Sequence, residues 1–321
     1  MQIKQILTFG SYLQDKYGKR VYKVPISISG FTCPNIDGTV ARGGCTFCEN
    51  DSFSPSLDKV QPLKGFHLNL DSKENPHLDM QLKQLEEQFG ALSKRLRQNY
   101  GAEKFLVYFQ SFTNTYAPFE TLKALYERAL SFDDVIGLSI GTRSDSVTDK
   151  TLSYLGKLSK EKEIWIEFGI QSVYDVTLER INRGHDSVNM RTWIGKAKAH
   201  GLNVCGHLIF GLPGETKEMM LHTAREAYGW GIDSVKYHPL YVVKRTALAN
   251  EYARGEFKPI SEEAYIDVLT EAILMKPENI SVQRITAGID DDSLISPEWC
   301  RDKNRQIRHI NAALKQVGLK Y

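Results

Sequence analysis

Three cysteines fall within sixteen residues, in the pattern Cys33-x11-Cys45-x2-Cys48. Three thiolates on one loop suit a soft metal centre. Structural zinc takes four ligands, and no fourth Cys or His stands at zinc-finger spacing. A four-iron cluster held by three thiolates would leave one iron open for a cofactor or substrate. Zinc is one alternative. Another is a buried, inert cysteine pair with a coincidental third thiol. The x11 gap is unusual, so spacing alone does not settle the matter. The loop between the first two cysteines, PNIDGTVARGG, is rich in turn residues and can fold the three sulfurs together. Cys205 and Cys300 stand alone and read as core residues.

Other residues could do chemistry. Glu167, Gly169 and Gln171 alternate along one apolar run, so a strand turns all three to one face. A carboxylate there is costly unless paired, which makes Glu167 either a site residue or half of a structural ion pair. His207 is either a satisfied core histidine or a site residue. Lys236 and His238 alternate on another run and can face the same interior. Lys244 and Arg245 follow, placed to meet an anionic substrate.

These residues must be positioned by regular elements. Short, nearly continuous apolar runs at 23–29, 104–109, 135–141, 164–170, 202–211 and 234–240 read as strands covered on both faces. Amphipathic stretches at 78–98, 118–130, 149–160, 175–182, 187–200 and 217–230 read as helices between them. Six strand-then-helix units imply an α/β fold with a parallel sheet and right-handed crossovers, curled into a partial (β/α)6 barrel of TIM type. After residue 245 helices are expected at 245–254, 261–275 and 297–316, with a loop at 285–297. The expected units are therefore a barrel over 1–245 and a helical extension over 246–321. Residues 52–77 are expected to form a loop over the mouth of the sheet.

The chain has 321 residues, 41% hydrophobic and 25% charged, which excludes disordered, collagenous and coiled-coil classes. No apolar run is long enough to span a membrane. The N-terminal stretch has no signal-peptide core or cleavage site, so a cytoplasmic protein is expected. Net charge is only +2, but the ends are basic. Lys4, Lys16, Lys19, Arg20 and Lys23 face Asp15 alone in the first 24 residues. Arg301, Lys303, Arg305, Arg308, Lys315 and Lys320 face Asp302 alone near the end. Such ends can bind a nucleic-acid backbone or simply be solvated.

The loop CPNIDGTVARGGCTFC at the mouth of such a sheet resembles the cluster loop of radical S-adenosylmethionine (SAM) enzymes, and its long gap resembles their elongator-like branch. IEFGIQSVYDVTLERINRGH at 166–185, HLIFGLPGET at 207–216 and VKYHPLYVVKRTAL at 235–248 are similar to later motifs of that branch, in the same order. GSYLQDKYG and YFQSFTNTYA extend the likeness to its small bacterial YtqA/YhcC-type members. The resemblance implies a [4Fe-4S] cluster on Cys33, Cys45 and Cys48, with SAM on the open iron. It also implies an electron donor such as flavodoxin or ferredoxin.

By the same resemblance, Phe47 meets the adenine. The segment 110–115 replaces the usual amine-binding motif, with Ser111, Thr113 and Asn114 offering acceptors. Arg143 and Asp145 match a turn that contacts the cofactor, although Asp145 can equally cap the following helix. Gln171 and Arg183 match SAM-contacting positions, Gln171 toward the ribose and Arg183 toward the carboxylate. His207 stands where related porphyrinogen oxidases have Asp. Glu167 and Lys236 are the remaining candidates for the chemistry, and glycines of the 211–216 turn can approach adenine. Arg284 matches a C-terminal arginine of the family. The branch acts on tRNA at the wobble uridine. The implied step takes carboxymethylaminomethyl-uridine toward aminomethyl-uridine; Phe112, Tyr116 and Tyr241 can receive a flipped base or equally be core. The alternatives are a radical SAM enzyme for a small metabolite or porphyrin, and a non-catalytic metal- or RNA-binding module.

Overall fold

The computed structural model describes residues 3–49, 63 and 65–321. Seven parallel strands form one curled sheet in chain order: β1 (Val21–Ile26), β2 (Lys104–Phe109), β3 (Val135–Thr142), β4 (Glu163–Gln171), β5 (Asn203–Phe210), β6 (Ser234–Pro239) and β7 (Ser281–Arg284). Every neighbouring pair is parallel. The helices α1 (Phe9–Tyr17), α2 (Leu78–Tyr100), α3 (Phe119–Leu130), α4 (Asp149–Leu158), α5 (Asp175–Arg180), α6 (Ser187–Ala199) and α7 (Lys217–Gly229) precede β1 or link successive strands. α8 (Ala247–Ala253), α9 (Glu262–Leu274) and α10 (Lys303–Gln316) complete the chain. This is an α/β half-barrel. Apolar strand faces such as Phe105, Val107, Leu138, Ile164 and Val204 are fully buried under the helices, the burial that drives such packing.

The six expected strands stand where the apolar runs put them. The C-terminal part is not purely helical, however. Residues 281–284 add the seventh strand to the sheet, and Leu294–Ser296 pairs antiparallel with Val242–Val243 inside the expected loop. The strand SVQR has too few apolar positions to announce itself. Its place is fixed by pairing with β6 and by Val282, which bonds back to Leu7. Residues 52–62 and 64 of the expected mouth loop lie outside the described residues. Of the remainder, Leu68 donates its N–H to the Gly30 carbonyl at 2.8 Å.

Two devices finish the half-barrel. At the bottom, α1 sets Phe9 and Leu13 against Leu106, Trp165 and Cys205. Beyond β1, the glutamines of α2 take the role of a missing strand. Gln88 accepts from the Ser27 N–H at 3.0 Å and donates to its carbonyl at 2.8 Å, while Gln84 accepts from the Ser29 N–H at 3.1 Å. Gln81 donates to the Ser29 carbonyl at 2.7 Å. Spacings of three and four residues put all three glutamines on one helix face. They satisfy the backbone of the segment that leads into the cysteine loop.

Candidate active site at the open end of the half-barrel

Each strand contributes one polar side chain to a layer inside the curl: Lys23, Tyr108, Ser139, Glu167, His207, Lys236 and Gln283. Glu167 lies at its centre, fully buried. Its carboxylate accepts from Lys23 and Lys236, from Ser139 Oγ at 2.5 Å and from His207 Nε2 at 2.7 Å. Lys236 also donates to the Tyr108 hydroxyl at 3.0 Å, and Lys23 to Gln283 Oε1 at 2.6 Å. Burial alone would raise the Glu167 carboxyl, but the two ammonium groups and His207 hold it well below the usual range. Burial lowers Lys23 to about 8 despite the Glu167 charge. Burial and Lys236 lower His207 to about 4, so its ring is neutral near pH 7. Lys23, taken from sequence as one of a set of basic terminal residues, is thus a floor residue. The signal was present: it is a lysine in a strand covered on both faces.

Above this floor the strand ends and the cysteine loop enclose two adjoining cavities. The deeper one, about 160 Å³, is lined by Cys33, Cys45 and Cys48 together with Thr113, Arg143, Glu167, Gln171, Arg183 and His207. The larger, about 450 Å³, shares Cys45, Cys48, Gln171, Arg183 and His207, and adds Phe47, His238, Tyr241, Arg284 and Lys303. All three thiols are free. Burial, then Cys45 and Cys33, push the Cys48 thiol up. Three thiolates crowded in such a place call for a cation to share them.

The loop is clipped in place by amides. Asn35 donates to the carbonyls of Asn182 at 2.5 Å and Arg183 at 2.9 Å, and Asn182 donates to those of Gly44 at 2.7 Å and Arg42 at 3.1 Å. Arg183 donates to the Gly169 carbonyl at 2.6 Å and reaches Cys45 Sγ at 3.8 Å. A Cβ on Gly169 would stand 2.7 Å from Gln171 Nε2 and 2.8 Å from Arg183 Nη2. Only glycine leaves room for both groups. Gln171 (φ 67°) and Phe112 (φ 60°), both lining the cavities, hold the left-handed backbone that most residues avoid. Strain of this kind concentrates at functional sites.

Several expected residues are placed otherwise. Ser111 bonds Ser27, and Asn114 donates to the carbonyls of Phe109 at 3.1 Å and Gly141 at 3.0 Å. Neither lines the cavities; both tie strand ends together. Of the three expected acceptors Thr113 does line the site, joined by Gln110 and Tyr108, which were not expected there. Asp145 caps no helix, since Thr148 caps α4. It forms a two-bond pair with Arg143, Nε–Oδ1 2.9 Å and Nη2–Oδ2 2.5 Å, and does not line the cavities. Lys236 reaches the site only through Glu167 and Tyr108. The 211–216 turn faces a separate cleft, and Gly211 packs against Ile260. Tyr116 bonds Thr39 away from the cavities. Arg245 pairs with Glu49.

Some of the basic terminal residues are paired within the chain. Lys4, Lys16, Lys19 and Lys23 pair with Glu278, Glu163, Glu103 and Glu167. Arg301 pairs with Glu298, and Arg305 reaches Glu262 at 3.7 Å.

The arrangement fits a large centre plus an organic cofactor. Among the described residues, the group of three potential ligands whose atoms all lie within 4.8 Å of one another is Glu167, Cys205 and His207, not the cysteine trio. Thiolates on one zinc would be about 4 Å apart, from bonds of ~2.3 Å. Buried polar atoms beside the thiols lack partners among the described residues: Gln171 Oε1, Arg183 Nε and Arg143 Nη1. Such groups await a polar ligand.

The model of the radical SAM superfamily matches residues 37–227, and that of the radical SAM C-terminal domain residues 232–316. The chain belongs to the radical SAM superfamily. Superfamily membership implies a [4Fe-4S] cluster and SAM, and points to an enzyme. This radical SAM chain is 34% identical to the uncharacterized protein YtqA of Bacillus subtilis, over 98% of its own length and 91% of that protein's. Protein YhcC of Escherichia coli K12 is equally similar, over 99% and 96%. The tRNA uridine(34) acetyltransferase of Methanocaldococcus infernus is 32% identical over 48% of this chain and 29% of that protein. Among solved structures, the archaeal Elp3 of the same organism superposes with a TM-score of 0.58 at 20% identity, covering 93% of this chain and 64% of that one. No helix among the described residues is long and apolar enough to cross a membrane.

Proposed function

We propose that this radical SAM enzyme modifies tRNA at the wobble uridine, processing a carboxymethylaminomethyl side chain toward aminomethyl. The observation that carries the enzymatic reading is the convergence, in one cavity, of three free thiols with the unpartnered polar atoms of Gln171 and Arg183. The tRNA reading draws on the likeness to the tRNA uridine(34) acetyltransferase.

Cys33, Cys45 and Cys48 hold the cluster. Arg183 and Gln171 hold SAM from the strand side, with Arg143 fixed beside them by Asp145. Phe47 walls the larger cavity, where the adenine or the substrate base stacks. When bound, the cluster and SAM, with an electron from a flavodoxin or ferredoxin, supply a 5′-deoxyadenosyl radical that takes hydrogen from carbon. The side chain's CH₂ between nitrogen and carboxylate is a suitable position, because both neighbours stabilise a radical there; returning one electron from that radical to the oxidised cluster would leave an imine, and water adding to its carbon would break the C–N bond, releasing the two-carbon unit as glyoxylate and leaving aminomethyl. Glu167 and His207 form the polar floor beneath it. Lys236 acts as a positioning residue through Glu167.

A small anionic metabolite is the second reading, favoured by the internal pairing of the terminal basic residues. Mass spectrometry of tRNA nucleosides from cells with and without the protein decides between them. Accumulation of carboxymethylaminomethyl-uridine in its absence supports the proposal. An unchanged wobble-uridine profile refutes the tRNA reading and leaves the radical chemistry standing.

A further inference from the structure

We propose that Arg284 and Lys303 form an anion site in the larger cavity that grips the carboxylate of the substrate's side chain; the identity of that substrate rests on the wobble-uridine reading. Arg284 ends β7, opposite Lys236 on β6. Lys303 opens α10. Both line the 450 Å³ cavity beside Cys48 and Gln171.

Three observations point to an anion. First, no hydrogen bond or ion pair joins either side chain to a described residue, whereas nearby Arg301 and Arg305 are paired with acids. Second, the described lining of the cavity contains Arg183, Arg284 and Lys303 but no Asp or Glu. Third, His238 Nε2, on the same lining, is buried without a partner. Arg284 is half-buried and Lys303 exposed at the cavity's open side, so both can meet a ligand that brings the counter-charge. Burial and Arg284 together lower the Lys303 ammonium, as expected for two cations that share a site with no acid.

Geometry favours a carboxylate over a backbone phosphate. Tyr241, Leu240 and Phe47 give the cavity apolar walls suited to a base. The guanidinium fork can hold a carboxylate or a phosphate in two bonds, so the choice between them rests on the apolar walls and the space. A phosphate would have to bring the sugar chain into about 450 Å³.

The test uses the cluster-loaded, SAM-bound protein and two anticodon stem-loops, one carrying carboxymethylaminomethyl-uridine and one aminomethyl-uridine. The wild type should bind the first at least tenfold more tightly. Arg284→Gln and, separately, Lys303→Gln should reduce that preference to less than threefold, by weakening binding of the carboxymethylaminomethyl stem-loop and not of the aminomethyl one. A preference kept in full by both variants overturns the site. If neither stem-loop binds, the tRNA reading fails. The site is then judged by acetate and phosphate titrations read as melting temperature. Stabilisation by acetate above phosphate, lost in Arg284→Gln, upholds it. Equal responses in wild type and variant, or a stronger response to phosphate, overturn the carboxylate assignment.

Discussion

Glu167 Oε2 lies 2.7 Å from His207 Nε2, and the same carboxylate carries both buried lysines of the floor. One acid therefore serves four donors from four strands. Glu167→Gln leaves buried Lys236 and partly buried Lys23 with no counter-charge. Breaking a buried pair from one side costs about 3–5 kcal/mol. A urea titration should show a loss of that size. Lys236→Met, which leaves Glu167 its bond to Lys23, should lose less.

The pH dependence follows from the same group. His207 is lowered to about 4 from an ordinary value near 6.5, so the unfolded chain binds its proton first. Stability should fall as pH drops from about 6.5 to 4, by roughly 3 kcal/mol. Glu167, held below its usual range, adds a further loss as pH falls through its folded value. His207→Gln should remove its share of the first limb of a stability–pH curve, to which His185 and His238, both lowered by burial, also contribute, and keep the second. An unchanged first limb would show that His207 is not the group responsible.

Arg183 bonds the Gly169 carbonyl, reaches Cys45 and leaves Nε unpartnered. Lysine cannot copy that fork. A lost charged hydrogen bond of about 1.5–3 kcal/mol corresponds to roughly 10–150-fold. Arg183→Lys should raise the KM for SAM by about that factor, while iron content stays near wild type. Gly169→Ala, which crowds the same two side chains, should act in the same direction.

Asn35 holds the cysteine loop by two carbonyls. Asn35→Ala leaves both buried and unpaired, at about 1–3 kcal/mol each. The loop should open more often, and a chelator should strip iron several-fold faster from the variant. Equal rates would mean the clip does not limit opening.

Much of this was legible from residue order. The six apolar runs fixed six strands because strands buried on both faces leave no room for polar residues. Cys33, Cys45 and Cys48 stood out because spacing is a local property. Glu167 stood out as a charge in an apolar run, and Lys23 could have been read by the same rule. Arg284 and Gln283 were not placed, because their strand is four residues long and is held by tertiary pairing. Ser111 and Asn114 were misplaced because their types suit either a ligand or a strand tie, and only the fold decides. The pairing of some of the basic terminal residues could not be read for a related reason: an acid partner lies up to 274 residues away.

The central claim is that three thiolates share one cluster beside a SAM site. Anaerobic reconstitution with iron and sulfide, followed by dithionite and SAM, measures it as 5′-deoxyadenosine released. Wild type should bind about four irons per chain and release the nucleoside, and Cys33→Ser, Cys45→Ser and Cys48→Ser should each abolish release. Full activity in any one of these variants, or wild-type protein that takes up no iron, would contradict the claim.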